Sequence, residues 1–404
     1  MGRAGSLRRR MAAGAAVALL GLTGCSGFFP AVTSSGGSTN TNSGNSVYVA
    51  NLTTSTIAGF SIIPAVAAVP ATATTAAVPA TPAALNLLTN SPMAAGYQPL
   101  CMAVTPSNSF LYVGGVNGIY VYLINSDGSL VTPSKGANQA VAYAVSLAIS
   151  PDGQWLVALD GSTQQLDIFQ INISTGALTS VGAGAPAVYS VTSGVWQPTS
   201  VRFAPNGTLI FAALGTGGDA VFTFNTATGA AVSSQYLPTG TTTTSDFGLA
   251  IDANTAYLYV ARSGTNGGVA VFSIGAGGTL APVKGSPFAA GNGTYSVVLD
   301  STGSYVYAAN RTDGTISGFT IVPATTTAPL KLTPLTGSPF STGAVVQSIG
   351  IDSKGQFLLA AAAGGNPDLT MYSFDTTVPG KLDPVVTTAT DTDPAGAAAL
   401  ALTH

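Results

Sequence analysis

Two distant stretches of the chain carry almost the same text. VYVANLTTSTIAGF at 47–60 aligns without a gap with VYAANRTDGTISGF at 306–319. Five further copies follow the same pattern: LYVGGVNGIYVY (111–122), WLVALDGSTQQLDIF (155–169), LIFAALGTGGDAVFTF (209–224), LYVARSGTNGGVAVF (258–272) and FLLAAAAGGNPDLTMY (357–372). A repeat of this kind constrains the fold more than any other feature, because one unit cannot bury its apolar faces alone and must stack on its neighbours. Six copies are preceded by another apolar strand and a turn. These turns begin at Pro106, Pro151, Pro205, Asp252, Asp300 and Asp352, at spacings of 45 to 54 residues. Their Pro/Asp-x-Gly chemistry closes a tight hairpin. A weaker fourth strand follows each pair, as in ALNLLTNSPM, SLVTPSKG, TLAPVKGSPF and KLTPLTGSPF.

Four strands at this period describe a blade of a β-propeller. Strands standing between two neighbouring blades are buried on both faces, which explains continuous apolar runs such as VYVAN and FLLAAAA. The first copy lacks its leading strand, and the chain ends in PAGAAALALTH, an apolar strand with no hairpin after it. The segment 395–403 therefore completes blade 1 and closes a ring of seven. Composition agrees. All 15 acidic residues are Asp, only 7% of residues are charged, and Gly (49) and Pro (24) abound. Helices favour Glu on their wet faces, whereas turns favour Asp, Gly and Pro. The reading is an all-β, seven-bladed β-propeller of four-stranded antiparallel blades over 46–404. An Ala/Pro/Thr-rich insertion at 63–84 is read as an extended loop of blade 1.

The N-terminus reads as an address. MGRAGSLRRR supplies four arginines, and an apolar run of twelve follows. A bilayer span takes about 20, so residues 1–24 are an export signal rather than an anchor. Leu22-Thr23-Gly24-Cys25 resembles the bacterial lipobox, in which the cysteine is acylated and becomes the first mature residue. Residues 25–45 are then a lipid-anchored flexible tether, and the protein is expected in the cell envelope, outside the cytoplasm, attached to a membrane through Cys25. Cys101, in the apolar strand PLCMAV, is left without a partner and reads as a buried inert thiol. Removal of the leader leaves 8 basic residues against 15 acidic ones, which argues against nucleic acid as a partner. A monomer is expected.

The repeat resembles the lactonase-like seven-bladed propellers, which include bacterial 6-phosphogluconolactonases. The carriers are the SPDG turn (150–153), the VYVAN strand end, the AANRTDGTISGF hairpin and GSPF at 285–288 and 337–340. By resemblance, Arg311 takes the place of an arginine proposed to act in catalysis. The family also places His and Glu on that face. This chain has no Glu, and its only His is His404; Tyr143 and Gln197 stand where the family often shows His.

The loops that lead into the inner strands share one face with the loops between second and third strands, and that face surrounds the central channel. Its candidates for ligand contact are Tyr97, Gln98, Tyr143, Trp196, Gln197, Asp246, Arg262, Tyr295 and Gln347, with Asp160 and Phe247 beside them. Aromatic faces and amides suit a sugar or peptide better than a phosphorylated substrate, since a phosphate calls for several cations and only Arg262 and Arg311 offer them. No ligand set for a metal and no cofactor motif is legible; Asp391 and Asp393 have no further acidic residue nearby. Hydrolysis of a lactone needs an activated water and a stabilised oxyanion, and an ordinary Asp, near pKa 3.9, is a weak base at neutral pH. The leading expectation is a lipid-anchored propeller that binds a ligand or partner without catalysis. The rival is a lactone hydrolase using Arg311 and an Asp base, and a third reading is a structural envelope protein.

Overall fold

A computed structural model of the chain describes residues 44–71, 76–132, 138–140, 142–181, 187–189, 191, 196–343, 345–385 and 396–404. The leader, residues 25–43 of the tether, Cys25, Asp391 and Asp393 lie outside the described residues, whereas Asn45 is buried and donates to Asp352. Everything described belongs to one compact unit, 36–404, in which no helix is long and apolar enough to cross a membrane.

The described strands form seven antiparallel sheets. Six are contiguous in sequence. Blade 5, for example, runs outward from Thr244–Ile251 through Tyr257–Gly264 and Gly268–Ile274 to Leu280–Pro282. Blade 1 is the exception. Its strands Ser46–Asn51, Thr56–Ile63 and Ala84–Leu87 take their innermost partner, Ala397–Leu402, from the far end of the chain. Thr403 seals this closure, because its hydroxyl accepts the Ser46 N–H and its N–H donates to the Ser46 carbonyl. The ring therefore leaves no inner edge of blade 1 unpaired.

Apolar burial is divided into seven clusters, one between each pair of neighbouring blades. That division explains the two-sided apolar strands. Tyr48, in blade 1, packs toward blade 2, while Val47 and Val49 pack toward blade 7. Tyrosine at this level also ties blades together. The hydroxyls of Tyr48, Tyr112 and Tyr307 donate to the carbonyls of Gly128, Gly176 and Gly380 in the following blade, at 2.7–2.8 Å. Blade 3 does the same with the Trp155 indole, which donates to Thr226 O at 2.9 Å. Blade 4 has Phe211 in the register position of these tyrosines, and Gly278 of blade 5 lies against Leu209 and Val221 beside it. We expect Phe211→Tyr to raise the unfolding free energy by about 1 kcal/mol, the worth of one buried hydrogen bond; denaturant titration reads it.

The recurring Ser-Pro segments have a local cause as well. The hydroxyls of Ser91, Ser286 and Ser338 accept the N–H groups of Gly59, Val271 and Gly318 at 2.7–3.0 Å. A side chain thus serves a third-strand donor where the outer strand leaves the ladder. The hairpins between first and second strands share one backbone as well, with a left-handed residue at Asn108, Gly153, Gly207, Thr255, Gly303 and Gly355. Glycine and Asn suit that conformation. Thr255 is the β-branched exception, at φ 55. The insertion of blade 1 is more ordered than an extended loop, since its two arms pair through bridges Val66–Thr81 and Val69–Val78.

Candidate functional site

The inner strands do not meet their neighbours in simple register at the upper face. A bulge separates Thr294 from Ser296 in blade 6, Val346 from Ser348 in blade 7, and Asp246 from Leu249 in blade 5. Bulges re-aim side chains beside functional surfaces. The residues carried on them are Tyr295, Gln347 and Phe247, all read from the sequence as upper-face candidates. Below the bulges the inner strands of blades 6, 7 and 1 are tied together, because Ser296 and Ser348 accept N–H groups of Ile349 and Leu400 from the next inner strand, at 3.4 and 3.3 Å.

Blades 5 and 6 bring three of these groups together. The Phe247 and Tyr295 rings lie 4.7 Å apart at 33°. The Arg311 guanidinium lies over the Tyr295 ring, 4.9 Å from its centroid. Arg311 itself is exposed; its backbone N–H donates to Gly293 O at 2.8 Å, which fixes the hairpin. It makes no ion pair among the described residues. A cation spread over an aromatic face keeps its N–H edge free for a planar oxygen ligand. The nearest carboxylate in the hairpin, Asp313, accepts the N–H and Nδ2 of Asn292, and these bonds hold its carboxyl below the ordinary range.

One strand away, Asp246 and Arg262 neutralise each other. Arg262 Nε and Nη2 donate to the two oxygens of Asp246 at 2.6 and 2.7 Å. Asp246 is fully buried and the Arg262 side chain is 16% exposed. Asp219, opening the third strand of blade 4, joins them. Burial, then the Asp246 charge, pushes its carboxyl well above the ordinary value against the pull of Arg262. In the ionised form neither Asp219 oxygen would have a hydrogen-bond partner; a protonated Asp219 donates to Asp246. Asp219 was not legible as a site residue. Its one signal is a charge inside GGDAVFTF, a strand otherwise apolar or neutral.

The remaining candidates are spread around the ring. Tyr97 stacks on Tyr120 at 3.6 Å and shares a hydrogen bond with the Tyr122 hydroxyl, so it belongs to blade 2's own packing. Gln98 is exposed beside it. Tyr143 covers Gly161, where a Cβ would meet its ring. Trp196 donates to the Tyr189 hydroxyl at 2.9 Å and packs on the blade 3–4 core, while Gln197 is exposed at the start of blade 4. Asp160 caps its turn by accepting N–H groups of Ser162 and Thr163. Its neighbour Asp167 is pushed up to about 6, by burial first and by Asp160 second. That pair sits on blade 3, across the ring from Arg311.

His404 lies at the opposite face. Its N–H donates to Asn108 Oδ1, and its ring meets Val104 O at 3.2 Å. Burial lowers its pKa. Cys101 is buried, and burial pushes its thiol up to about 12. No group of three metal-ligating side chains occurs among the described residues. A cavity of about 320 Å³ opens between blades 4 and 5, also at the opposite face, beside Asn206, Thr208 and Gly278.

Comparison with known proteins agrees with this architecture. The chain resembles a candidate 6-phosphogluconolactonase of Bacteroides uniformis (17% identity, TM-score 0.67, covering 89% of this chain and 99% of that one). It is similar in the same way to the periplasmic gluconolactonase of Pseudomonas aeruginosa (17% identity, TM-score 0.63, 90% and 99%). At such identity these likenesses show the fold alone. No curated protein sequence matches. The model of the family described as lactonase, 7-bladed beta-propeller, matches residues 38–193 and 216–396, well over half of the sequence, and the chain belongs to that family.

Proposed function

We propose that this protein binds a small sugar-derived ligand carrying a carbonyl or carboxylate oxygen at the Phe247–Tyr295–Arg311 plate, without turning it over. The carrying observation is Arg311, exposed and laid on Tyr295 with no carboxylate partner among the described residues. The aromatic plate suits the apolar face of a sugar ring, and the guanidinium suits its oxygen. Among the described residues, the plate has no free base. Asp313 is held by Asn292, Asp246 is held by Arg262, and His404 is at the other face. The setting we propose is extracytoplasmic, with the membrane reached through a lipid on Cys25.

Family membership favours a second reading, hydrolysis of a lactone. Water would attack the carbonyl, a carboxylate would take its proton, Arg311 would hold the oxyanion, and the ring oxygen would leave with a proton. Calorimetry with gluconate and glucono-δ-lactone, beside a hydrolysis assay that includes 6-phosphogluconolactone, separates the two. We expect binding without turnover, weakened at least about tenfold in Arg311→Ala, the worth of a charge-assisted bond. Stability should change by less than about 0.5 kcal/mol, because the side chain is exposed. Hydrolysis well above the spontaneous rate, lost in the variant, would replace the binding reading with the lactonase one.

A further inference from the structure

Register places one residue of each inner strand at a common level, opposite the second-strand residue that faces the following blade. Six of these residues are small and apolar: Ala401, Ala103, Ala148, Ala250, Val298 and Gly350. The seventh is Arg202 of blade 4, opposite Phe211. Arg202 is the one long, charged side chain of the seven, and it stands on an inner strand, beside the ring axis. Its side chain is solvent-accessible, yet protein surrounds it so closely that desolvation lowers its pKa, and its charge reaches the Cys101 thiol of blade 2. Both facts hold for a group in a narrow channel, where water touches it but bulk solvent does not.

Nothing among the described residues neutralises this charge. The ion pairs are Arg262 with Asp246 and Lys381 with Asp375 and Asp383. The one bond recorded for the Arg202 guanidinium runs from Nη1 to the carbonyl of its own neighbour, Val201, at 3.0 Å. A guanidinium carries five N–H donors, and only one of them is engaged here. We infer that Arg202 is an oxyanion site in the central channel, taking a carboxylate or phosphate group on its free N–H edge. The site is separate from the upper-face plate and stands whether or not Arg311 binds a sugar.

The test measures thermal midpoint and calorimetric binding of the full chain with inorganic phosphate or with gluconate, at constant ionic strength. Wild type should show a saturable rise of the midpoint with at least one of them. In an Arg311→Gln background, which removes the plate's own affinity for gluconate, Arg202→Gln should lose the rise and the binding heat, and Arg202→Lys should keep part of both. Arg311→Gln should keep the rise, which separates this site from the plate. A response to phosphate alone assigns a phosphate ligand, and a response to gluconate alone assigns a carboxylate. An equal rise in Arg202→Gln in that background, or no rise in wild type with either anion, overturns the inference.

Discussion

Arg262→Ala will lower the unfolding free energy by about 3–5 kcal/mol, the range for breaking a buried pair by removing one partner. The variant strands Asp246, which is wholly enclosed and has both oxygens committed to the guanidinium. The damage should reach beyond one blade. The Asp246 backbone exchanges two hydrogen bonds with Gly215 of blade 4, and Thr199 of blade 4 donates to its carbonyl at 3.0 Å. Urea unfolding measures the loss, and Arg262→Lys should recover only part of it because a lysine cannot form the two-point contact. A loss below about 1 kcal/mol would show that the pair is surface-like and contributes little.

Asp219→Asn should act in the opposite sense, stabilising the protein at neutral pH by on the order of 1–3 kcal/mol, the scale of penalty for a desolvated carboxyl. Its raised carboxyl keeps its proton in the folded state where the unfolded chain has already lost it. The folded state therefore binds more protons above the unfolded value, near 3.9, and this group's contribution falls as pH rises from there toward the folded value. Asparagine does not titrate and can still donate to Asp246. A plot of stability against pH should lose that downward slope in the variant. An unchanged slope would exclude Asp219 as its source.

Much of the fold was legible because each blade is built from local hairpins. Turn residues and apolar runs then report the architecture directly, and the missing first strand at 47 together with the surplus strand at 397–402 reports the closure. Arg311 was legible for the same reason: the twin hairpin carries Leu52 there, so the fold does not require the arginine. Other site features were not legible. Asp246 and Arg262 stand on paired strands, yet counting outward from the Asp252 turn does not align them, because a bulge between Asp246 and Leu249 shifts the register. Tyr97 and Trp196 read as ligand-facing aromatics, and their contacts with Tyr120, Tyr122 and Tyr189 are decided by packing distances that sequence does not carry.

The sequence by itself determined a seven-bladed ring, the strands that close it and one arginine that the repeat does not need. Periodicity and turn chemistry are local, and a repeat multiplies the same local statement seven times. Only the tertiary structure decided which groups from different blades meet. Asp219 faces Asp246 across an interface, Arg311 settles on Tyr295 beside Phe247, and the charge of Arg202 reaches Cys101 two blades away. These relations depend on bulges, on the stagger between adjacent sheets and on distance to the ring axis. Those quantities arise when the blades pack, and no single blade's sequence contains them.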